Sequence, residues 1–429
     1  MACLPSKNVI FSAKVASLFA QAPLFGLVPA AQAAHDDHHS AVNMRAVTHR
    51  KREMIDGLMQ MHEANFKRTG VEYISGEGNF VGPKTLEVTK DGEKRTLTAD
   101  AVIVSTGSRA RVPDITGLQE ANPLTHVEIL ELDEVPKHLI ILGSGYVGLE
   151  FAQAMRRYGA EVTVIDSHGK VLKREDDDVS TLLRETMEKE DVVFHTSVKL
   201  TKVSGKSGEV VKLEGTADGG KDFLLGGTHI ICATGRLPNT ENIGLDVAGI
   251  EFNEHGHIKV NDYNVTTDEC VFAVGDCAGS PHFTHVAFDD FRIVRDILTN
   301  RPGEISSRST RQVPFMLFTD PELAHIGLRE SEAKANGIDY RLTKVPMGAF
   351  LRTRTLGETT GFAKALISTE GDTILGFTAV GVGAGELLPV VQLAMKKNLP
   401  YTDIADLIIT HPTLNEGLIA LFSAVPLRQ

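Results

Sequence analysis

Six residues in the first half of the chain have the types and spacing to cradle a phosphate. Gly143-Ser144-Gly145-Tyr146-Val147-Gly148 follows directly on the apolar run His138–Leu142, and residues 146–158 keep helical spacing. Glycines at these three positions permit a tight turn and close backbone approach, so a diphosphate can sit on the helix N-terminus. The next strand, Glu161–Ile165, ends in Asp166, 23 positions beyond Gly143. An acid there accepts hydrogen bonds from a ribose 2′-OH and repels a 2′-phosphate, which favours NAD over NADP. Lys170, Lys173 and Arg174 nearby keep NADP possible. The bland reading is a helix–strand packing turn; the whole constellation favours the nucleotide.

Other chemistry-bearing clusters point nowhere definite. Ala34-His35-Asp36-Asp37-His38-His39-Ser40 holds three histidines and two aspartates. No fixed scaffold is implied, so it reads as a solvated linker and no metal site is assigned. Four cysteines, Cys3, Cys232, Cys270 and Cys277, are too few and too scattered for a disulfide framework.

The elements around the glycine motif alternate strand and helix. Lys7–Gln21 reads as a helix, and so does Met44–Arg68, with Ile55, Leu58, Met59 and Phe66 at helical spacing and Gly70 as its stop. Val71–Ile74, Asn79–Val81 and Lys84–Val88 read as a small β-meander. The strand Ala101–Ser105 runs into Thr106-Gly107 and then Gly117-Leu118; Ile230–Ala233 runs into Thr234-Gly235-Arg236 and then Gly244-Leu245. Two such closings indicate two copies of one domain plan. The second copy opens with the motif at Gly143, whereas no GxGxxG precedes Thr106. The chain is therefore expected to begin partway through its first domain. Toward the C-terminus, strand-like Pro314–Thr319 and Ile374–Val380 alternate with helices near Glu330–Asn336, Leu387–Lys397 and Leu414–Phe422, an α+β layout.

A length of 429 residues corresponds to two to four domains. The net charge of −12 argues against nucleic acid or an anionic membrane as partner. No apolar run reaches ~18 residues without polar interruption, so no membrane-spanning helix is expected. Lys7 and Lys14 precede an apolar stretch, Val15–Ala30, and Ala31-Gln32-Ala33 mimics a cleavage site, but Gln21, Pro23 and Pro29 break the stretch. A soluble, cytoplasmic protein is expected.

In chain order the motifs resemble the flavoprotein disulfide reductases, the class I pyridine nucleotide-disulfide oxidoreductases that include glutathione reductase, dihydrolipoamide dehydrogenase and mercuric reductase. Cys3-Leu4-Pro5-Ser6-Lys7 resembles the downstream half of the redox motif CxxxxCxPxK. Ser105-Thr106-Gly107-Ser108, Gly143–Gly148 with Glu150, Ala233-Thr234-Gly235-Arg236, Val274-Gly275-Asp276, and His411-Pro412-Thr413 with Glu416 follow in family order. Phe283–Leu298 and Thr410–Val425 are most similar to a mercuric-reductase-like branch that includes a reductase linked to reactive-chlorine resistance.

The resemblance implies an α/β fold with two Rossmann-like nucleotide-binding domains, the first incomplete, and a C-terminal α+β dimerisation domain. Residues 1–136 and 251–305 would bind FAD, 137–250 NAD(P)H, and 306–429 would form the homodimer interface. Hydride would pass from NAD(P)H to FAD, and electrons through a Cys pair to a disulfide or metal-ion acceptor. Cys3 would be the flavin-proximal thiol, and Lys7 would pair with Glu150 near flavin N5; the alternative is two unconnected surface charges. Thr106, Gly107 and Gly235 fall on the nucleotide-binding closings. Asp276 would hold the FAD ribityl chain, although Gly-Asp is also a common turn pair. Cys270 and Cys277 read as structural thiols.

His411 resembles the acid–base donated across the dimer interface, oriented by Glu416; equally, Thr413-x-x-Glu416 is a capping box. The sequence departs from the family in three places. The interchange cysteine and the FAD GxGxxG are absent, and the tail Val425-Pro426-Leu427-Arg428-Gln429 lacks the paired cysteines that capture Hg(II), so mercury is not expected as substrate. A dihydrolipoamide dehydrogenase, or a catalytically inactive nucleotide-binding fragment, are the alternative readings.

Overall fold

Residues 3–26, 42–303 and 305–428 are described by the computed structural model, so the His-rich patch at 34–40 lies outside the described residues. The chain divides into two compact units: Met1–Glu53 with Val112–Thr234 and Pro314–Gln429, and Met54–Arg111 with Gly235–Val313.

In the first unit, helix α1 spans Cys3–Gln21, one turn earlier than expected. Its inner face buries Ser6, Val9 and Ala13. By length and composition alone Cys3–Phe25 is long and apolar enough to cross a membrane, with a mean hydropathy of 1.2, which leaves the expectation of no membrane-spanning helix untested. Scattered Ser, Asn and Gln hide this from a search for unbroken apolar runs. Helix α2 spans Met44–Thr69. The helical spacing is right but the inferred face is not. Met44, Thr48 and Lys51 are buried, while Met59 is exposed. The Lys51 ammonium satisfies its burial by donating to Leu130 O at 2.6 Å and to the Glu131 carboxylate.

A four-stranded parallel sheet follows, in the order His229–Cys232, His138–Leu142, Glu161–Ile165, Val192–His195. Leu139, Ile140 and Ile141 are fully buried, as expected of a parallel strand covered on both faces. Helices α3 (Tyr146–Arg157) and α4 (Asp177–Lys189) are the crossovers, and α3 packs against α1. An antiparallel meander, Lys199–Gly205, Val211–Ala217 and Lys221–Gly227, shares a core with the parallel sheet through Val203, Leu213, Ile140 and Ile230.

The second unit holds a meander of Glu77–Gly82, Thr85–Lys90 and Glu93–Thr98. Val71–Ile74 is not one of its strands, and the charged Glu93–Thr98 is. The cause is Asp91-Gly92, both at positive φ, which closes a tight hairpin between the last two strands. Val102–Val104 pairs in parallel with Val271–Ala273, and the segments after the two Thr-Gly closings, Ser108–Ala110 and Arg236–Pro238, pair with each other. Helix α5 spans Thr284–Leu298.

The remainder of the first unit is a five-stranded antiparallel sheet in the order Phe315–Leu317, Glu322–Gly327, Ile374–Gly381, Phe362–Ser368, Tyr340–Pro346. Helices α6 (Glu330–Ala335), α7 (Leu351–Leu356), α8 (Ala384–Lys396), α9 (Thr402–Ala405) and α10 (Gly417–Ser423) accompany it. Phe350, Phe377, Leu387 and Phe422 fill the core of this part. Lys364 lies fully buried on one central strand, its ammonium bonded to Asp176 at 2.9 Å, Asp178 at 2.9 Å and Glu330 at 2.8 Å. That cage joins the N-terminus of α4 to the sheet.

Candidate active site

The glycine turn is built by strand His138–Leu142 and α3. At Gly143, with φ +102°, an added Cβ would lie 2.6 Å from Ala233 O, and at Gly148 one would lie 2.1 Å from Gly143 O. Only glycine fits this crossing. A Cβ on Gly145 would meet no protein atom within 4 Å, and no side chain caps the α3 N-terminus. The turn thus leaves open space and uncapped backbone donors where a diphosphate is stabilised, and a dinucleotide fits it.

Asp166 sits beside this turn with its acceptors already used. Oδ2 accepts from Ser144 N at 2.7 Å and Ser144 Oγ at 2.6 Å, and Oδ1 accepts from His168 N at 2.8 Å and pairs with His168 Nδ1 at 2.8 Å. Burial raises its pKa, but the bonds from Ser144 and His168 outweigh that and hold the carboxyl below its ordinary range. Lys173 Nζ lies 3.0 Å from His168 Nε2. Neither Ser144 nor His168 was singled out from sequence; an Asp-x-His at the strand end is the signal that could have found the second.

On α1, Cys3 presents an exposed thiol at the first residue and Lys7 lies one turn on. Lys7 Nζ donates to Glu150 Oε2 at 2.5 Å and stands 4.5 Å from the centre of the Phe318 ring. Glu150 is buried on α3, and its Oε1 accepts from Phe318 N at 3.0 Å. The reading of two unconnected charges is set aside.

His411 is held by Glu416. Its Nδ1 donates to Oε1 at 2.9 Å, which directs Nε2 outward, and 63% of the His411 side chain is exposed. Only half of the capping box forms: Glu416 N donates to Thr413 Oγ1 at 3.3 Å, while the carboxylate goes to His411. Among the described residues no hydrogen bond joins this pair to Lys7 and Glu150.

The remaining predicted residues belong to the second unit. Thr106 O accepts from Asn239 Nδ2 at 3.0 Å, Gly107 O from Asn239 N at 2.9 Å, and Gly235 O from Arg111 N at 2.9 Å. The Ser108 hydroxyl donates to Asp276 Oδ2 and accepts from Arg236 Nε at 2.7 Å; that nitrogen lies 3.6 Å from the Asp276 carboxylate. With 21% of its side chain exposed, Asp276 can still accept from an outside hydroxyl, as a ribityl chain requires. Behind it, fully buried Asp290 on α5 accepts from Gly275 N at 2.8 Å and Ser280 Oγ at 2.6 Å and pairs with Arg311. Nothing in the sequence spacing marks Asp290. Cys277 is buried in the same unit, its thiol facing Val274 O at 3.3 Å. Cys270 is partly buried.

With this geometry established, comparison with known proteins is informative. Residues 2–290 match the family model described as pyridine nucleotide-disulphide oxidoreductase, and residues 313–421 match its dimerisation domain. The chain is 31% identical over 406 residues to the probable pyridine nucleotide-disulfide oxidoreductase RclA of Escherichia coli, spanning 93% of this chain and 89% of the relative. It is 31% identical to a mitochondrial dihydrolipoyl dehydrogenase of Dictyostelium discoideum (88% and 77% covered). It is 29% identical to a mercuric reductase of Lysinibacillus sphaericus (97% and 73% covered). Its fold superposes on HOCl-induced flavoprotein disulfide reductase RclA from Escherichia coli with a TM-score of 0.86 at 27% identity, covering 99% of this chain and 90% of the other. A Cu(II) complex of that protein gives 0.86 at 27% identity, with 99% and 89% covered. These spans do not show the truncation of the first domain expected from the sequence.

Proposed function

The chain belongs to the pyridine nucleotide-disulphide oxidoreductases, and from that premise we propose that it is an FAD-dependent NAD(P)H oxidoreductase delivering two electrons to a disulfide or metal-ion acceptor. The family uses FAD and NAD(P)H. When bound, the nucleotide supplies hydride and the flavin relays its two electrons. The observation that carries the reading is the Lys7–Glu150 ion pair, which ties the redox-motif helix to the nucleotide-motif helix across 143 residues of sequence. Glu150 fixes the direction of the Lys7 ammonium, and a fixed cation favours negative charge developing next to it.

The chain's other residues divide the work. The turn at Gly143, Gly145 and Gly148 holds the diphosphate, and Asp166 favours NADH over NADPH. Asp276, steadied by Ser108 and Arg236, accepts from the flavin side chain, with Thr106, Gly107 and Gly235 shaping the adjoining turns. Cys3 is the thiol nearest the flavin. His411, with Nδ1 committed to Glu416, takes or returns a proton at Nε2. Its exposure suits service to a second subunit, so the active form is a homodimer built through the dimerisation domain. We divide the chain as 1–136 and 251–305 for FAD, 137–250 for NAD(P)H and 306–429 for dimerisation. A cytoplasmic location, where NAD(P)H is supplied, is part of the proposal. The Cu(II) complex of the relative RclA supports a metal ion among the acceptors.

The test is direct. Purified protein supplied with FAD is expected to be yellow and to oxidise NADH faster than NADPH with Cu(II) or lipoamide as acceptor. Lys7→Met is expected to slow NADH-driven flavin reduction by about tenfold or more, equivalent to ~1.4 kcal/mol in the barrier. A colourless protein without NADH turnover would refute the assignment.

A further inference from the structure

Phe318 follows directly on strand Phe315–Leu317 and leaves its ring 37% exposed beside the Lys7–Glu150 pair. Its place is set by the loop it belongs to. Buried Gln153 on α3 clasps the backbone of Asp320, two residues on: the amide nitrogen donates to Asp320 O at 2.7 Å, and the amide oxygen accepts from Asp320 N at 2.8 Å. The Asp320 carboxylate pairs with Arg157 on α3 at 2.9 Å and with Lys14 on α1 at 3.4 Å. The two helices that carry Glu150 and Lys7 therefore also fix the loop that carries Phe318.

Phe318 touches both members of the pair. Its N–H donates to Glu150 Oε1 at 3.0 Å, while Lys7 Nζ donates to Oε2 at 2.5 Å. Its ring lies under that same Nζ, 4.5 Å from the ring centre. We propose that Phe318 is a positioning residue for Lys7, its ring face and backbone N–H together keeping the ammonium charged and fixed in direction. This deepens the reading of Lys7 given above and rests on it.

The choice of an aromatic ring has a physical reason. The electron-rich face attracts a cation within about 6 Å of its centre, and it does so without bringing a formal charge. A second carboxylate at the same place would hold the ammonium more firmly, but it would cancel the positive field that Lys7 presents to its surroundings. An aliphatic side chain would exclude water and offer the cation nothing. The N–H bond works in the same sense, because it engages the carboxylate oxygen that Lys7 does not use. Glu150 is buried and Lys7 partly exposed, so the ring also takes the place of water on one side of the ammonium.

The test keeps the shape of the ring and changes its charge distribution. Phenylalanine carrying one, two or three ring fluorines is placed at position 318, which weakens the attraction for a cation stepwise. NADH-driven flavin reduction in stopped flow is expected to slow at each step, by about threefold across the series. The ratio of reduced to oxidised flavin at a fixed potential is expected to fall by a similar factor. Acetylation of Lys7 by acetic anhydride, read by mass spectrometry, needs no turnover; it is expected to quicken about threefold along the series, because only the neutral amine reacts. Phe318→Tyr is expected to match the parent, and Phe318→Leu to resemble the most fluorinated chain; if the leucine variant folds poorly, the fluorine series still decides. Flavin reduction, flavin ratio and Lys7 labelling that all ignore fluorination, while Lys7→Met slows flavin reduction, would overturn the proposal alone. Flavin reduction as fast in Lys7→Met as in the parent would overturn the reading of Lys7 as well.

Discussion

Replacing Lys364 by Met keeps the apolar stem but removes the one ammonium shared by three carboxylates. Asp176 is 8% exposed, Glu330 17% and Asp178 27%, so the stranded charges have little water to turn to. Breaking a buried pair from one side costs about 3–5 kcal/mol. Asp178 retains Lys344 at 2.7 Å, and Asp176 retains the backbone N–H groups of Glu330 at 3.1 Å and Ser331 at 3.0 Å, which sets the expectation near the lower end. For a unit of roughly 290 residues, an unfolding entropy of ~0.6 kcal/mol/K converts about 3 kcal/mol into a fall in Tm of about 5 °C. The pH dependence has a definite sign. Burial raises the Asp176 pKa, but its bonds from Lys364 and Ser331 outweigh that and hold it well below the usual carboxylate range. In the parent chain this stabilisation is complete above the unfolded value of ~3.9 and is lost only as pH falls through the lower folded value. In the variant the lowering influence of Lys364 is gone while burial and neighbouring acids remain, so the Asp176 and Asp178 carboxyls take up protons at higher pH. The stability deficit should therefore narrow between about pH 7 and pH 5. Calorimetric scans at the two pH values measure both quantities. A drop under about 1 °C, or a deficit that widens on acidification, would refute the account of the cage.

Two further outcomes concern the reactive groups. His411→Ala is expected to slow reduction of a disulfide acceptor by about 10²–10⁴-fold while NADH-driven flavin reduction keeps its rate, a split that stopped-flow and steady-state assays together resolve. Glu416→Gln, which can still accept from Nδ1, should lose less. Burial pushes the Cys232 thiol up to about 12, so iodoacetamide at pH 8 should alkylate exposed Cys3 in the native protein and reach Cys232 only after denaturation. Mass spectrometry reads this, and equal rates at the two cysteines would contradict the packing.

What could be read in the sequence was local. Strand His138–Leu142, the glycine turn and Asp166 lie within one βαβ unit, where spacing alone specifies geometry. The Lys7–Glu150 pair spans 143 residues and was available only through resemblance to a family. Lys364 sits in Phe362-Ala-Lys-Ala-Leu-Ile-Ser, where alternation reads a lysine as outward-facing. Its burial depends on acids from two distant segments. The same holds for Lys51 on α2, where a polar side chain took the buried position while Met59 stayed outside. The hairpin at Asp91-Gly92 was legible by its turn residues, yet the charged strand after it carries no apolar alternation to announce it. Glu416 fitted two local patterns at once, and the carboxylate resolved them by serving His411 while its backbone N–H served Thr413.

The bonding of Asp166 has an energetic consequence for turnover. Four internal contacts, two from Ser144 and two from His168, already occupy an acceptor with about four lone-pair positions. Under the proposed function, a ribose hydroxyl arriving there would exchange one partner for another instead of adding to a bare anion, so little net enthalpy would be gained. Under the same proposal, departure would be correspondingly easy, because the bonds from Ser144 and His168 satisfy the carboxylate without the nucleotide. Such self-ligation would suit the proposed reaction, which must discharge an oxidised coenzyme on every cycle.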